Sequence, residues 1–271
     1  VSARVHAWRG QVVVVTGASL GIGAETARAL AGYGARLVLS GRDAERLASV
    51  AAECRAAVAE VEGVTADITV ETECRVLVER AIARFGQIDT LICNAGQAMW
   101  ARAEDVTEWS VFERLVRVNY LGAVYCALAA LPHLRASRGR LVVVSSLAGK
   151  TGVPMRSGYA AAKAALHGFF DSLRIELRGS GVSVTLVCPG FVGTGSRARN
   201  LGVNGEPLGR SPVDEAAMMP VAECTRQLLR AAARRDRELV MTGRARLGML
   251  LKLLVPALVD RMAERAMRNG R

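Results

Sequence analysis

Short apolar runs without alternation recur along the chain, separated by longer stretches in which apolar side chains return every three or four positions. The first run is Gln11-Val-Val-Val-Val-Thr16, followed by a glycine turn and a helical pattern over Ala24–Tyr33. Further strands are predicted at Arg36–Ser40, Gly63–Ala66, Thr90–Cys93, Arg140–Ser145, Ser183–Cys188 and Glu238–Met241, and helices at roughly 43–61, 70–85, 108–135, 158–178 and 214–234. Runs such as Leu141-Val-Val-Val144 are apolar at every position, as parallel strands covered on both faces are. Right-handed crossovers turn this βα alternation into an α/β fold, a doubly wound parallel sheet of about seven strands with helices on both faces. No linker, repeat or low-complexity segment divides residues 1–271, so a single domain is expected. The Gly-, Arg- and Asn-rich stretch 195–213 reads as a mobile loop or lid. After the last strand, Leu247, Leu250, Leu251, Leu254, Leu258 and Met262 follow at helical spacing. Arg261, Arg265, Arg268 and Arg271 lie nearby, so 244–271 reads as a basic amphipathic extension broken at Pro256.

Composition narrows the function classes. At 51% hydrophobic and 23% charged, 271 residues can bury one large core. The longest apolar candidate for a membrane span, Leu247 to Val259, contains Lys252 and Pro256 and falls short of the ~20 residues required. That speaks against an integral membrane protein. Cys54, Cys74, Cys93, Cys126, Cys188 and Cys224 are scattered, with no C-x-x-C pair and no histidine at ligand spacing. Reduced thiols in a cytoplasmic protein, and no metal, are the expectation. The net charge is +11, of which +7 lies in residues 191–271. Bases interleave with acids and aromatics are only 4%, so no nucleic-acid surface stands out. Of the 36 basic residues only Lys150, Lys163 and Lys252 are lysines, which makes a well-placed lysine informative.

Thr16-Gly-Ala-Ser-Leu-Gly-Ile-Gly23 joins the first strand to the first helix. Gly17, Gly21 and Gly23 thus stand where backbone N–H groups and a helix N-terminus attract a pyrophosphate, as in Rossmann-type folds. The second strand ends Ser40-Gly41-Arg42-Asp43. An NAD site wants a carboxylate there for the ribose 2′-OH; Gly41 offers none, and Arg42 could pair with a 2′-phosphate, which favours NADP(H) over NAD(H). Asp43 is a candidate N-cap. Further on, Tyr159-Ala-Ala-Ala-Lys163 puts a phenol and an ammonium on one helical face. A nearby cation favours phenolate, which a phenol needs for acid–base work. Ser145-Ser146 lies at the carboxyl edge of a strand, where such sheets bind ligands.

Taken together, these motifs resemble the short-chain dehydrogenase/reductase family. The matching features are Thr16–Gly23, Asp67-Ile68, Asn94-Ala95-Gly96, Asn119, Ser146, Tyr159/Lys163 and Pro189-Gly190, in the family's order over about residues 11–241. The resemblance implies that Tyr159 exchanges a proton with the substrate oxygen and that Ser146, 13 residues earlier, hydrogen-bonds that oxygen, with Ser145 the competing serine. It implies that Lys163 holds the nicotinamide ribose and tunes Tyr159, and that Asn119 holds a water linking Lys163 to solvent. Gly17, Ser19, Gly21, Ile22 and Gly23 would cradle the cofactor. Asp67 and Ile68 would meet the adenine, Asn94, Ala95 and Gly96 the cofactor wall, and Pro189, Gly190, Val192 and Thr194 the carboxamide or phosphate. Leu20 stands where NADP-preferring members often carry a base, which leaves that preference to Arg42.

The expected activity is NADP(H)-dependent interconversion of a ketone and a secondary alcohol on a mainly apolar, steroid- or lipid-like molecule. A 3-oxoacyl-thioester reductase and a non-catalytic NADP(H)-sensing protein are the alternatives. His6, His133 and His167 read as surface or helix residues, and Trp8, Trp100 and Trp109 as packing, with Met99 and Trp100 also candidates for the substrate mouth. The family suggests a homodimer or homotetramer. For 244–271, a cover over the cleft, a subunit contact, a peripheral membrane contact and a plain packed helix all remain open.

Overall fold

The computed structural model describes residues 7–57, 59–215 and 218–268. His6 and Arg271 lie outside these, as does the side chain of Arg268. Seven parallel strands form one sheet: β1 (Val12–Thr16), β2 (Arg36–Gly41), β3 (Val61–Thr65), β4 (Thr90–Cys93), β5 (Arg140–Val144), β6 (Ser183–Cys188) and β9 (Glu238–Val240). Their order is β3-β2-β1-β4-β5-β6-β9, with the order reversing beside β1. A separate two-stranded pair joins β7 (Val192–Gly193) to β8 (Met219–Pro220). All five residues of β1 are buried, because helices cover both faces of the sheet.

One face packs on α1 (Gly21–Gly32), α2 (Ala44–Ala56) and α7 (Val221–Arg234), through Leu30, Leu47 and Leu228 among others. The other packs on α3 (Glu71–Phe85), α5 (Gly122–Ser137) and α6 (Ser157–Glu176), through Leu77, Leu134 and Phe170. A short α4 (Ser110–Val116) runs into α5 through a π-helical turn, Arg117–Leu121. The combined helix, Ser110–Ser137, is long and apolar enough to cross a membrane by length and composition, a possibility the sequence reading did not single out. Half of its most apolar window is buried inside the molecule, where Ala123, Cys126, Ala127, Ala130 and Leu134 join the core, as a core helix does. Two more helices, α8 (Gly243–Leu254) and α9 (Pro256–Arg268), form the extension and break at Pro256.

Several boundaries differ from those predicted. The helix expected over 43–61 stops at Ala56, since Val61 begins a strand that pairs with Leu37 of β2. Asp43 does cap it, its Oδ1 accepting from the Arg46 N–H at 3.1 Å. The helix expected from 214 begins at Val221, after Pro220, which favours an extended Met219. The stretch 195–213 is anchored to the body of the protein. Leu201 is fully buried and its backbone bonds to Ala98 and Trp100, while Val203 accepts from Thr107. Met99 is buried with Leu201, Val111 and Leu115, so it packs and does not line a substrate mouth. Trp8 packs as expected, whereas Trp109 is 77% exposed.

Candidate active site

Across the carboxyl ends of β1 to β6 runs a cavity of about 370 Å³. At its centre, Gly17 and Gly21 have φ of +65° and +58°, the left-handed region open to glycine without strain. A Cβ on Gly17 would sit 2.7 Å from the Ala95 Cα, and one on Gly23 would sit 2.2 Å from the Gly17 carbonyl oxygen. Gly23 is thereby corrected: it does not line the cavity but lets α1 close onto the turn. The Thr16 hydroxyl accepts from the N–H groups of Asn94 and Ala95 at 3.0 and 3.2 Å. In return the Asn94 amide donates to the carbonyls of Thr16 and Gly17 at 3.0 and 3.2 Å. These four bonds lock the glycine turn to the end of β4. Thr194 meets the same turn, since a Cβ on Gly21 would lie 3.2 Å from its Cβ.

Ser19, Ile22, Arg42, Asp67, Ile68, Asn94, Ala95, Gly96, Pro189, Gly190, Val192 and Thr194 all line this cavity, as do Asn119, Ser146, Tyr159 and Lys163. At the β2 end, Arg42 is half exposed and its guanidinium lies 3.6 Å from Asp67. Partial burial alone would raise the Asp67 carboxyl, but hydrogen bonds from Thr69 and the charge of Arg42 outweigh it and hold it low. A Cβ on Gly41 would meet the Ser19 side chain at 3.1 Å, a tight contact that Ser19 would have to relieve by a few tenths of an ångström.

At the β5 end, α6 carries Tyr159 and, one turn on, Lys163. The Lys163 ammonium is buried, donates to the Val144 carbonyl at 2.8 Å and lies 5.8 Å from the Tyr159 ring centre. Burial pushes its pKa down, against the opposing pull of Tyr159. Ser146 caps a 3-10 turn, its Oγ accepting from the Ala148 N–H at 3.1 Å, so its own proton is free to donate. The neighbouring Ser145 donates to the Lys163 carbonyl at 3.1 Å and lies 3.0 Å from His167 Nε2. Asn119 sits in the π-helical turn and spends both amide hydrogens on backbone, at Leu115 (2.9 Å) and Gln97 (2.8 Å). Its Oδ1 accepts from Gln97 N–H at 3.2 Å, and a Cβ on Gly96 would fall 2.8 Å from that oxygen.

Residues that the sequence reading missed complete the wall: Gln97, Arg156, Arg197 and Asn200. The Arg156 guanidinium lies over the rings of Tyr159, Trp100 and Phe191, at 5.4, 5.4 and 5.2 Å. Trp100 does not line the cavity itself but packs against Arg156, which does. Among the described residues His167, Cys188 and Glu238 also come together, their donor atoms within 4.8 Å of one another. His167 is thus a helix residue, as expected, and a buried member of a network. Lys150 already pairs with Glu238 at 2.5 Å, and burial pushes the Cys188 thiol up to about 12. His167 Nε2, 3.0 Å from the Ser145 hydroxyl, ties this cluster to Ser145.

The glycine turn at the N-terminus of α1, the Arg42 guanidinium and the buried Lys163 ammonium line one cavity, a donor set that fits a nicotinamide dinucleotide. Comparison with known proteins points the same way. The model of the short chain dehydrogenase family matches residues 11–201. The chain is 38% identical over 226 residues to 11-beta-hydroxysteroid dehydrogenase-like 4A of Arabidopsis thaliana, covering 83% of this chain and 74% of that protein. It is 34% identical over 258 residues to the 11-beta-hydroxysteroid dehydrogenase of Pinus massoniana, covering 93% and 72%. Among solved structures it resembles a short chain dehydrogenase/reductase from Burkholderia phymatum in complex with NAD, with a TM-score of 0.82 and 24% identity over 93% of this chain and 95% of that one. An alcohol dehydrogenase from the archaeon Thermococcus sibiricus complexed with 5-hydroxy-NADP matches with a TM-score of 0.73 and 27% identity over 85% and 95%.

Proposed function

The chain belongs to the short-chain dehydrogenase family, and from that premise we propose that it interconverts a secondary alcohol and a ketone on a mainly apolar, steroid- or lipid-like molecule with NADP(H). That it is an oxidoreductase of alcohols and ketones using a nicotinamide cofactor follows from the family and its relatives. The apolar substrate rests on the steroid dehydrogenase names of those relatives. The preference for NADP(H) rests on Arg42 beside a position that holds no acid.

One observation carries the mechanism: a buried ammonium one helical turn from a phenol that lines the cofactor-sized cavity. When bound, the nicotinamide supplies or accepts the hydride. Tyr159 gives its phenolic proton to the developing alkoxide in reduction and takes it back in oxidation. Ser146 holds that oxygen with the proton its own bonding leaves free. Lys163, fixed by Val144, favours the phenolate and positions the ribose, while Asn119 holds the wall between Gln97 and Lys163. The assembly is proposed to be a cytoplasmic homodimer or homotetramer whose basic extension touches an anionic lipid surface.

Tyr159→Phe should lower kcat by about 10²–10⁴-fold, the range of general acid–base catalysis, while the cofactor Kd stays within twofold. Full turnover in that variant would refute the assignment, whereas cofactor binding without any turnover in the wild type would favour a cofactor-sensing protein. Side-by-side kinetics with NADPH and NADH test Arg42: the wild type should favour NADPH, and Arg42→Ala should erase the difference. Equal rates with NADH in the wild type would overturn that reading.

A further inference from the structure

At the substrate end of the cavity, three buried polar atoms have no hydrogen-bond partner: Nε of Arg156, Nε of Arg197 and Nδ2 of Asn200. All three are N–H donors. Their residues are each more than nine-tenths buried, at 7, 7 and 6% exposure, and all line the cavity that holds Tyr159. Both guanidiniums pack on Phe191, with their carbons 5.2 and 4.9 Å from its ring centre. Arg197 also reaches the Val192 carbonyl, at 3.4 Å. Aromatic faces satisfy the flat sides of the guanidiniums, but neither has an ion pair among the described residues. The nearest acid acting on Arg197 is Glu215, whose carboxylate accepts from the Gly195 N–H.

Two like charges held side by side out of water are costly unless a counter-charge joins them. Arg156 lies over the Tyr159 ring, at the reacting end and away from the glycine turn and Arg42, while Arg197 joins it to the Val192–Thr194 segment. The geometry points to an anionic subsite: the substrate carries a carboxylate or equivalent oxyanion that docks on Arg156, Arg197 and Asn200 while its reacting carbon faces Tyr159. This deepens the dehydrogenase reading and rests on it, since the anion is placed relative to Tyr159. With Arg156 lying over the Tyr159 ring, the anion stands only a few bonds from the carbon that gains or loses hydride. Planar guanidinium forks suit a carboxylate, and the orphaned amide of Asn200 adds a third donor.

The test offers the full-length enzyme, with NADPH and with NADH, a series of oxo-fatty acids whose ketone lies two to six carbons from the carboxylate, each against its methyl ester. At one or more spacings kcat/KM for the acid should exceed that for the ester at least tenfold, about 1.4 kcal/mol. Arg156→Gln and Arg197→Gln should each shrink this ratio below threefold, with the cofactor KM within twofold of wild type. An acid-to-ester ratio near one in the wild type overturns the subsite and leaves the dehydrogenase reading intact. So does a ratio preserved in both variants, or a variant effect confined to cofactor KM, which would assign the arginines to the cofactor phosphates. If neither acids nor esters turn over, the activity reading fails for these compounds and the subsite is judged by binding. Acids but not esters should then quench tryptophan fluorescence, through Trp100 stacked on Arg156, and no acid-specific change overturns the proposal.

Discussion

His167 is held beside Ser145 Oγ at 3.0 Å, and its other ring nitrogen lies 3.6 Å from Glu238. Burial, reinforced by the Lys150 ammonium, pushes its pKa down to about 4 even though Glu238 and Asp171 pull the other way. An unfolded imidazole titrates near ~6.5. Between pH 6.5 and 4 the unfolded chain therefore binds a proton that the native one refuses, so stability falls as pH drops through that window. Thermal unfolding at half-unit pH steps should show Tm declining there, and His167→Gln should flatten the decline; an unchanged slope would remove His167 as its source. None of this was legible in the sequence, because Ser145, Cys188 and Glu238 reach the histidine from three different strand ends. Tyr159 and Lys163 were legible for the opposite reason: they are four apart on one helix, and lysine is rare in this chain. Arg156 and Arg197 were hidden among more than thirty arginines, and only burial distinguishes them.

Elements whose burial is set by local pattern could be read directly. The runs Val12–Val15 and Leu141–Val144 are buried on both faces of the sheet and appear as strands where expected. Elements decided by distant partners could not. The third strand, expected over Gly63–Ala66, shows this in its start, for it begins at Val61 with half-buried Glu62 paired to Val38 of β2. The π-helical turn has no composition of its own. Asn119 accounts for it in the structure, drawing on the Leu115 carbonyl that a regular helix would keep for its own backbone. Likewise 195–213 looked mobile from its glycines and arginines, yet a single buried leucine, Leu201, ties it down beside Met99.

Over the whole molecule the +11 charge resolves into separate roles. Arg42 pairs with Asp67, Lys163 and Arg156 face the cavity, and much of the remaining excess lies toward the C-terminal end. There α8 and α9 expose Leu247, Leu250, Leu253, Leu254, Leu258 and Met262, while Arg246 and Lys252 tie α8 to the body through the Val240 and Lys150 carbonyls. Such exposed leucines on a basic pair of helices suit an anionic bilayer surface. Deleting residues 244–271 should abolish co-sedimentation with vesicles rich in phosphatidylglycerol. Equal pelleting of full-length and shortened protein would sink the membrane reading, and a loss of self-association on deletion would assign the helices to a subunit contact.

The position of β1 has a consequence for biosynthesis. Val12–Val15 are made well before the strand that completes their pairing, β4, which ends at Cys93. During translation a β-branched apolar segment must wait for its second neighbour, about 80 residues later, with one edge open to any other nascent chain. Slow emergence or truncation before Cys93 should therefore send this protein into inclusion bodies, whereas interruption later in the chain leaves β1 with both neighbours already made.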